Sequence, residues 1–279
     1  MTSDATASPQ PLVTILIPHY KTLELTKLCL RSLKLFTDLG KVRVIVIDNH
    51  SNDDSTEYLK TLNWITLIIR TPTEAETPSI AHARALDVGL AQTRTPYILS
   101  IHTDTIVTSP QWLDFLLARI EADPGIAGVG SWKLEHKPPV KRLAKTIERW
   151  WQQKIWYPLL GKGEGSLEGV GRNYYYLRSH CALYKTELVR KYTNGFDDSG
   201  ETAGKLLHTR LLESGYQMVF IPSEELSPHV KHLNHATMIL NPEIAGKKTG
   251  SRKERQRIMR ELKSLKYEAI LGDESLDSP

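Results

Sequence analysis

Short apolar runs rich in β-branched residues alternate with segments of helical period, and this alternation constrains the chain more than any other feature. Leu12–Pro18 (LVTILIP), Val42–Ile47 (VRVIVI), Trp64–Ile69, Tyr97–Ile101 and Ile126–Trp132 read as strands. Between them, Leu23–Phe36 carries a helical stripe of Leu25, Leu28, Cys29, Ser32, Leu33 and Phe36. Further helices are expected from near Ser55, over Pro78–Ala91 and over Pro110–Ala122, the last two with proline at the start. The order β-α-β-α-β-α-β-α-β demands a mostly parallel α/β sheet with helices on both faces. The near-continuous apolar strands agree, because such strands are buried on both sides.

The second half is less regular. Leu143–Ile155 reads as an amphipathic helix, Tyr174–Tyr184 as strand-like, Gly200–Ser214 as a helix and Gln217–Ile221 as a strand. Ser251–Tyr267 reads as a basic C-terminal helix. Residues 1–10 are polar and read as a disordered N-terminus without signal-peptide character. No window approaches 18 uninterrupted apolar residues, so no membrane-spanning helix is expected. The two cysteines, Cys29 and Cys181, sit in apolar patterns without metal-ligand spacing and read as reduced core thiols of a cytoplasmic protein.

Ligands of open α/β sheets bind at the carboxyl ends of the strands. The first strand ends Pro18-His19-Tyr20, and no glycine occurs before Gly40. That excludes the glycine-rich phosphate turn of dinucleotide-binding folds. A proline-led loop of this kind borders either a nucleobase or nothing but the next helix. The second strand ends at Asp48, followed by a turn cluster, Asn49–Ser55, suited to capping a helix. The fourth strand runs into His102-Thr103-Asp104. Residues two apart on an extended chain project to one side, so His102 and Asp104 can converge on a metal ion or a polar ligand.

The phrases VTILIPHYKTLELTKLCLRSL, VIVIDNHSNDDSTEYL and YILSIHTDTIVTSPQWLD resemble the nucleotide-sugar domain of family 2 GT-A glycosyltransferases. Ala83–Leu90 (ARALDVGL) resembles that family's helix before the metal motif, with Arg84 retained and Asp87 where asparagine is usual. The resemblance covers about Leu12 to Thr237. It implies a Rossmann-like GT-A sheet over residues 11–240, with a nucleotide-sugar half to 132 and an acceptor half from 133. Residues 241–279 are then a basic helical extension. The implied activity is sugar transfer from a nucleotide-diphosphate sugar to a saccharide or lipid-linked acceptor hydroxyl, with inversion and help from Mn²⁺ or Mg²⁺. The implied nucleotide-sugar contacts are Pro18, His19, Tyr20, Asp48, Arg84, Asp87, His102 and Asp104.

Two departures stand out. The family's D-x-D-like motif reads H-T-D here, with His102 at the first acidic position and Asp104 at the metal-reaching one. Mg²⁺ prefers oxygen ligands and imidazole suits softer first-row ions, so direct contact by His102 tilts the ion towards Mn²⁺. Further on, Gly195–Thr202 (GFDDSGET) resembles the segment that carries the family's catalytic base. Glu201 matches best, although Thr202 replaces an aspartate, and Asp197 and Asp198 stand as alternatives. His229, His232 and His235 recur at i+3 spacing and would share a face if helical. The resemblance instead implies a metal ligand after the last core strand, which fits His232, with His235 as the alternative.

The net charge is only +4, but basic residues cluster. Lys137–Lys162 holds seven basic residues and one acid, with Trp150, Trp151, Trp156 and Tyr157, and Lys247–Lys266 holds nine against two. A basic helix with tryptophans suits an anionic membrane surface, or equally a helix docked over the acceptor site. No nucleic-acid motif accompanies it. An alternative reading is a glycosyltransferase-like nucleotide-binding protein that has lost turnover through the changes at His102 and Thr202. A nucleotidyltransferase would want a glycine-rich basic loop after the first strand, and Pro18–Thr22 is not one.

Overall fold

The computed structural model describes residues 10–73, 76–132, 134, 174–198, 202–233, 236, 252–264 and 267–278. Strands are β1 (Val13–His19), β2 (Val42–Asp48), β3 (Ile65–Ile69), β4 (Tyr97–Ile101), β5 (Thr105–Val107), β6 (Ile126–Gly130), β7 (Cys181–Lys185), β8 (Gln217–Phe220) and β9 (Val230–His232). Helices are α1 (Leu23–Phe36), α2 (Asp54–Thr61), α3 (Pro78–Gln92), α4 (Trp112–Ile120), α5 (Thr186–Tyr192), α6 (Lys205–Glu213), α7 (Ser223–Leu226), α8 (Arg252–Ser264) and α9 (Tyr267–Gly272), followed by a 3₁₀ turn, Glu274–Asp277.

Among the described residues, seven strands form one sheet in the order β3-β2-β1-β4-β7-β6-β8, and β5 pairs with β9 in a separate ribbon. Parallel pairing joins β3, β2, β1 and β4, and also β6 and β8. β7 runs antiparallel to both of its neighbours. Alternate side chains serve the two faces. Val13, Ile15 and Ile17 pack with Val44, Val46 and the α1 residues Cys29, Leu30 and Leu33. Leu16, Ile45 and Ile47 pack under Ala83, Ala85, Leu86 and Leu90 of α3. Gly89 lets α3 lie close to the sheet, since a Cβ there would come within 2.7 Å of Leu16 Cδ2. Both cysteines are buried free thiols.

The first half follows its sequence pattern closely. Asp53 caps α2 by accepting from the Ser55 amide, and Thr77 caps α3 ahead of its N-terminal proline. The second half departs from expectation in physically clear ways. Strand structure begins only at Cys181, because the chain from Tyr174 first crosses the sheet end, with Arg178 N donating to Ser131 O. α6 starts at Lys205, after Gly204 takes a left-handed turn at φ 76°. Val230–His232 is a strand, so the histidine triplet is not the face of one helix. The basic C-terminal stretch forms two helices that pack on α1 through Ile258, Leu262 and Tyr267, against Leu25, Leu28, Ile106 and Leu233. The buried Arg31 of α1 anchors the tail beyond them. Its Nε donates to Asp277 Oδ1 at 2.9 Å, a second nitrogen reaches Asp277 Oδ2, and a third donates to the Leu271 carbonyl. Tyr58 completes the anchor, its hydroxyl donating to Asp277 Oδ1 at 2.7 Å.

Candidate active site

The sheet topology brings five separate stretches to one point at the carboxyl end of β4. His102 and Asp104 leave β4 there. Ile101 pairs with Cys181, so Ser179 and His180, just before β7, arrive beside them. Gly130 pairs with Ala182, which sets Ser131 at the same edge. Thr105 pairs with His232, and this ribbon holds His232 next to Asp104. α3 adds His82 from the sheet face.

His102 Nδ1 lies 3.7 Å and His232 Nε2 3.1 Å from Asp104 Oδ1. Candidate ligand atoms of the three residues all fall within 4.8 Å of one another. His180 stacks on His232 with ring centroids 4.5 Å apart, and Ser131 Oγ lies 2.9 Å from its Nε2. His82 meets His102 edge to face at 4.7 Å.

Burial pushes His102 and His180 well below the ordinary imidazole value, and it holds His82 at about 4. These three rings are therefore neutral at neutral pH. Burial pushes the Asp104 carboxyl up, but the surrounding imidazoles, His232 first, pull it further down, below the usual carboxylate range. Asp104 Oδ1 is buried and receives no well-aligned hydrogen bond. A buried carboxylate whose Oδ1 receives no well-aligned hydrogen bond, flanked by the ring nitrogens of His102 and His232, fits a divalent cation, whose charge and ligand demand complete the site.

The nucleotide-side candidates divide. Pro18 and His19 are buried within β1. His19 turns inward, its ring nitrogens 2.9 Å from Ser55 Oγ and 3.1 Å from Thr26 Oγ1, so it ties α1 to α2 rather than facing the cleft. Burial lowers it to about 4. Tyr20 is half-exposed. Asp48 is fully buried at the end of β2, where Ser51 N, Ser51 Oγ and Thr56 Oγ1 donate to its oxygens. The two loops beyond these strands are linked by Lys21 N donating to Ser51 Oγ at 2.8 Å. Lys21, Thr22, His50 and Asn52 all hold positive φ there. Such clustering of strained backbone at one rim accompanies functional loops.

Asp87 holds the loop at residues 195–197, accepting from the Phe196 and Asp197 amides at 2.6 and 2.8 Å. Gly195, at φ 94°, makes this approach possible, because a Cβ there would come within 2.3 Å of Asp87 Oδ1. Arg84 bridges Glu76 and Asp197 at 2.9 and 2.7 Å, and Arg210 pairs with Asp198. Both alternative bases are thus engaged by arginines. Glu201, His235 and the stretch 137–162 lie outside the described residues. His229 packs on the Phe115 ring at 4.2 Å.

The sequence reading missed His82, Ser131, Ser179 and His180. Ser179 contacts His102 across 77 residues and His82 across 97. No local spacing signals such a meeting; it follows from the pairing of β4 with β7.

The model of glycosyl transferase family 2 matches residues 14–193. The chain belongs to that family. This glycosyltransferase has the GT-A fold, and its H-T-D segment falls within the matched range. A mannosyltransferase from Pyrobaculum calidifontis, solved with GDP-Man and Mn²⁺, superposes with a TM-score of 0.54 at 19% identity, covering 96% of this chain and 72% of that one. Glucosyl-3-phosphoglycerate synthase from Mycobacterium tuberculosis, solved with Mn²⁺, UDP-Glc and glycerol 3-phosphate, gives 0.43 at 18% identity. That alignment covers 65% of this chain and 59% of the synthase. No curated protein sequence matches the chain. Among the described residues, no helix is long and apolar enough to cross a membrane.

Proposed function

We propose that this glycosyltransferase moves a sugar from a nucleotide-diphosphate sugar to an acceptor hydroxyl, with inversion and with a divalent ion at Asp104, His232 and His102. The observation that carries the reading is the buried, anionic Asp104 set between His102 and His232 at the carboxyl end of β4. When bound, the ion supplies positive charge to the leaving diphosphate. The protein's own groups do the rest. The linked loops after β1 and β2, fixed by Asp48 and Ser51, shape the nucleoside end. Arg84, paired with Glu76 and Asp197, ties the start of α3 to the loop at residues 195–197. Asp87 positions the segment leading to Glu201, and Glu201 takes the proton from the acceptor hydroxyl. Support for Glu201 is the commitment of Asp197 and Asp198 to arginines. The basic aromatic stretch 137–162 suits peripheral contact with anionic membrane, which flotation with anionic vesicles tests.

Thermal unfolding with UDP, GDP or dTDP, with and without Mn²⁺, tests the central reading. A ligand present at a hundred times its Kd stabilises the native state by about 2.7 kcal/mol. Metal-dependent stabilisation by one nucleotide, lost in Asp104→Ala, is the expected result. Absence of any nucleotide effect overturns the proposal. Nucleotide stabilisation without sugar transfer from the matching donors would instead identify a binding protein.

A further inference from the structure

Ser179 stands between two imidazoles. Its Oγ lies 3.1 Å from His82 Nε2 and 2.9 Å from His102 Nε2. A hydroxyl has one proton to give, so at most one ring accepts from it and the other donates to it. The other nitrogen of His102, Nδ1, is the one near Asp104, at 3.7 Å, beyond hydrogen-bond range. A proton on Nδ1 finds no acceptor in Asp104, whereas a proton on Nε2 finds Ser179. The chain of donors therefore runs from His102 Nε2–H to Ser179 Oγ–H to His82 Nε2. It leaves the Nδ1 lone pair available beside Asp104.

We infer that His82 and Ser179 are positioning residues that hold His102 as a nitrogen ligand, so that the His102–Asp104–His232 site takes a late first-row ion such as Co²⁺ or Zn²⁺ in preference to Mg²⁺. The inference rests on the metal-assisted reading above and specifies its ion. A tetrahedron with metal–ligand bonds of about 2.1 Å has edges of about 3.4 Å. The observed 3.7 and 3.1 Å edges to Asp104 bracket that value. Two imidazole nitrogens and one carboxylate oxygen favour ions late in the first row, whereas Mg²⁺ favours all-oxygen octahedra. A hydrogen-bonded partner behind a ligating histidine fixes its tautomer and orientation. Ser179 fills that role for His102. His180, stacked on His232 and bonded to Ser131, limits the motion of the second ring.

The test is metal binding by the metal-stripped full chain, without nucleotide. Co²⁺ is followed by its visible absorption, and Zn²⁺ and Mg²⁺ by calorimetry. Wild type is expected to bind Co²⁺ and Zn²⁺ about 100-fold more tightly than Mg²⁺. His102→Asp, which restores an all-acid motif, should narrow that ratio at least tenfold. Ser179→Ala should weaken Co²⁺ binding roughly 10–100-fold and alter its absorption, and Ser179→Thr should recover both. Comparable wild-type affinity for Mg²⁺ and Co²⁺ overturns the ion preference, whatever the variants do. A Ser179→Ala protein with native circular dichroism and an unchanged Co²⁺ spectrum and affinity overturns the positioning role. Since nucleotide is absent throughout, failure of the nucleotide-sugar reading would show in the unfolding assay and leave this titration intact.

Discussion

Asp277→Asn should destabilise the protein more than Arg31→Met, although both remove the same ion pair. The asymmetry comes from burial: the Arg31 side chain is 2% exposed and that of Asp277 23%. Asp277→Asn leaves a guanidinium buried beneath the tail without a counter-charge, and breaking a buried pair in this way costs about 3–5 kcal/mol. Arg31→Met leaves Asp277 at the surface, able to keep water and the Tyr58 hydroxyl, so the loss falls to about 1 kcal/mol for unmade hydrogen bonds. At roughly 2–4 °C per kcal/mol for a chain of this size, Asp277→Asn lowers the Tm by roughly 6–20 °C. The loss is capped by the cost of lifting the tail, which would hydrate Arg31 and expose the C-terminal helices to protease. A double-mutant cycle by thermal and urea unfolding, with limited trypsinolysis alongside, measures all of this. The double variant should resemble Arg31→Met alone, giving a coupling of about 3–5 kcal/mol, the whole cost of Asp277→Asn. If Asp277→Asn proves no worse than Arg31→Met in both unfolding and proteolysis, the tail is not anchored through this pair.

Gly195→Ala should cost about 3 kcal/mol, combining positive-φ strain with a clash against Asp87, whereas Gly215→Ala, also at positive φ but in open space, should cost only about 1; urea midpoints compare the two. Burial, with Asp197 and Asp198 nearby, raises the Asp87 carboxyl to about 6. The folded state therefore binds this proton more tightly than the unfolded chain, and the stabilisation is full below pH ~4 and is lost as pH rises through about 6. Denaturation from pH 4 to 7 should show a decline of about 1–3 kcal/mol in wild type that is absent from Asp87→Asn; equal slopes would refute the assignment. Glu76 behaves oppositely, held at about 2 by Arg70 first, against its burial, with Arg84 adding to the effect. Its contribution is present above pH ~4.5 and fades as pH falls towards 2, so Glu76→Gln should flatten the acid limb of the unfolding profile.

The parallel half of the fold was legible because its signals are local. Residues such as Val44, Ile45, Val46 and Ile47 are apolar on both faces, and Asp53, Thr77 and Pro78 mark helix starts within a few residues of where they act. His102 and Asp104 were legible as neighbours but not in the way expected: β4 ends at Ile101, and a turn closed by Thr105 N donating to His102 O, rather than alternation along a strand, brings the two side chains together. β5 and β9 are three residues each, too short for any period to register, so the ribbon that delivers His232 was invisible apart from the family resemblance. Ser179 and His180 were hidden more deeply. Their sequence neighbours Tyr174–Tyr176 suggested an extended strand, yet the segment is irregular, and only antiparallel pairing of β7 makes residues before a strand share a rim with residues after another. His19 shows the converse error: its place at a strand end was read correctly, but the direction of its side chain depends on α1 and α2 closing over it.

The junction between β6 and β7 has a consequence for how this enzyme can diversify. Ser131 and Arg178 are joined backbone to backbone, and Ser131 again bonds His180. The end of β6 and the approach to β7 therefore meet at a single clasp beside His102, Asp104 and His232. A segment joining two points fixed in this way can change length at little thermodynamic expense, because the free energy of closing a chain between fixed ends grows only logarithmically with its length. The sheet does not register the change, since its strand pairing is settled outside the clasp.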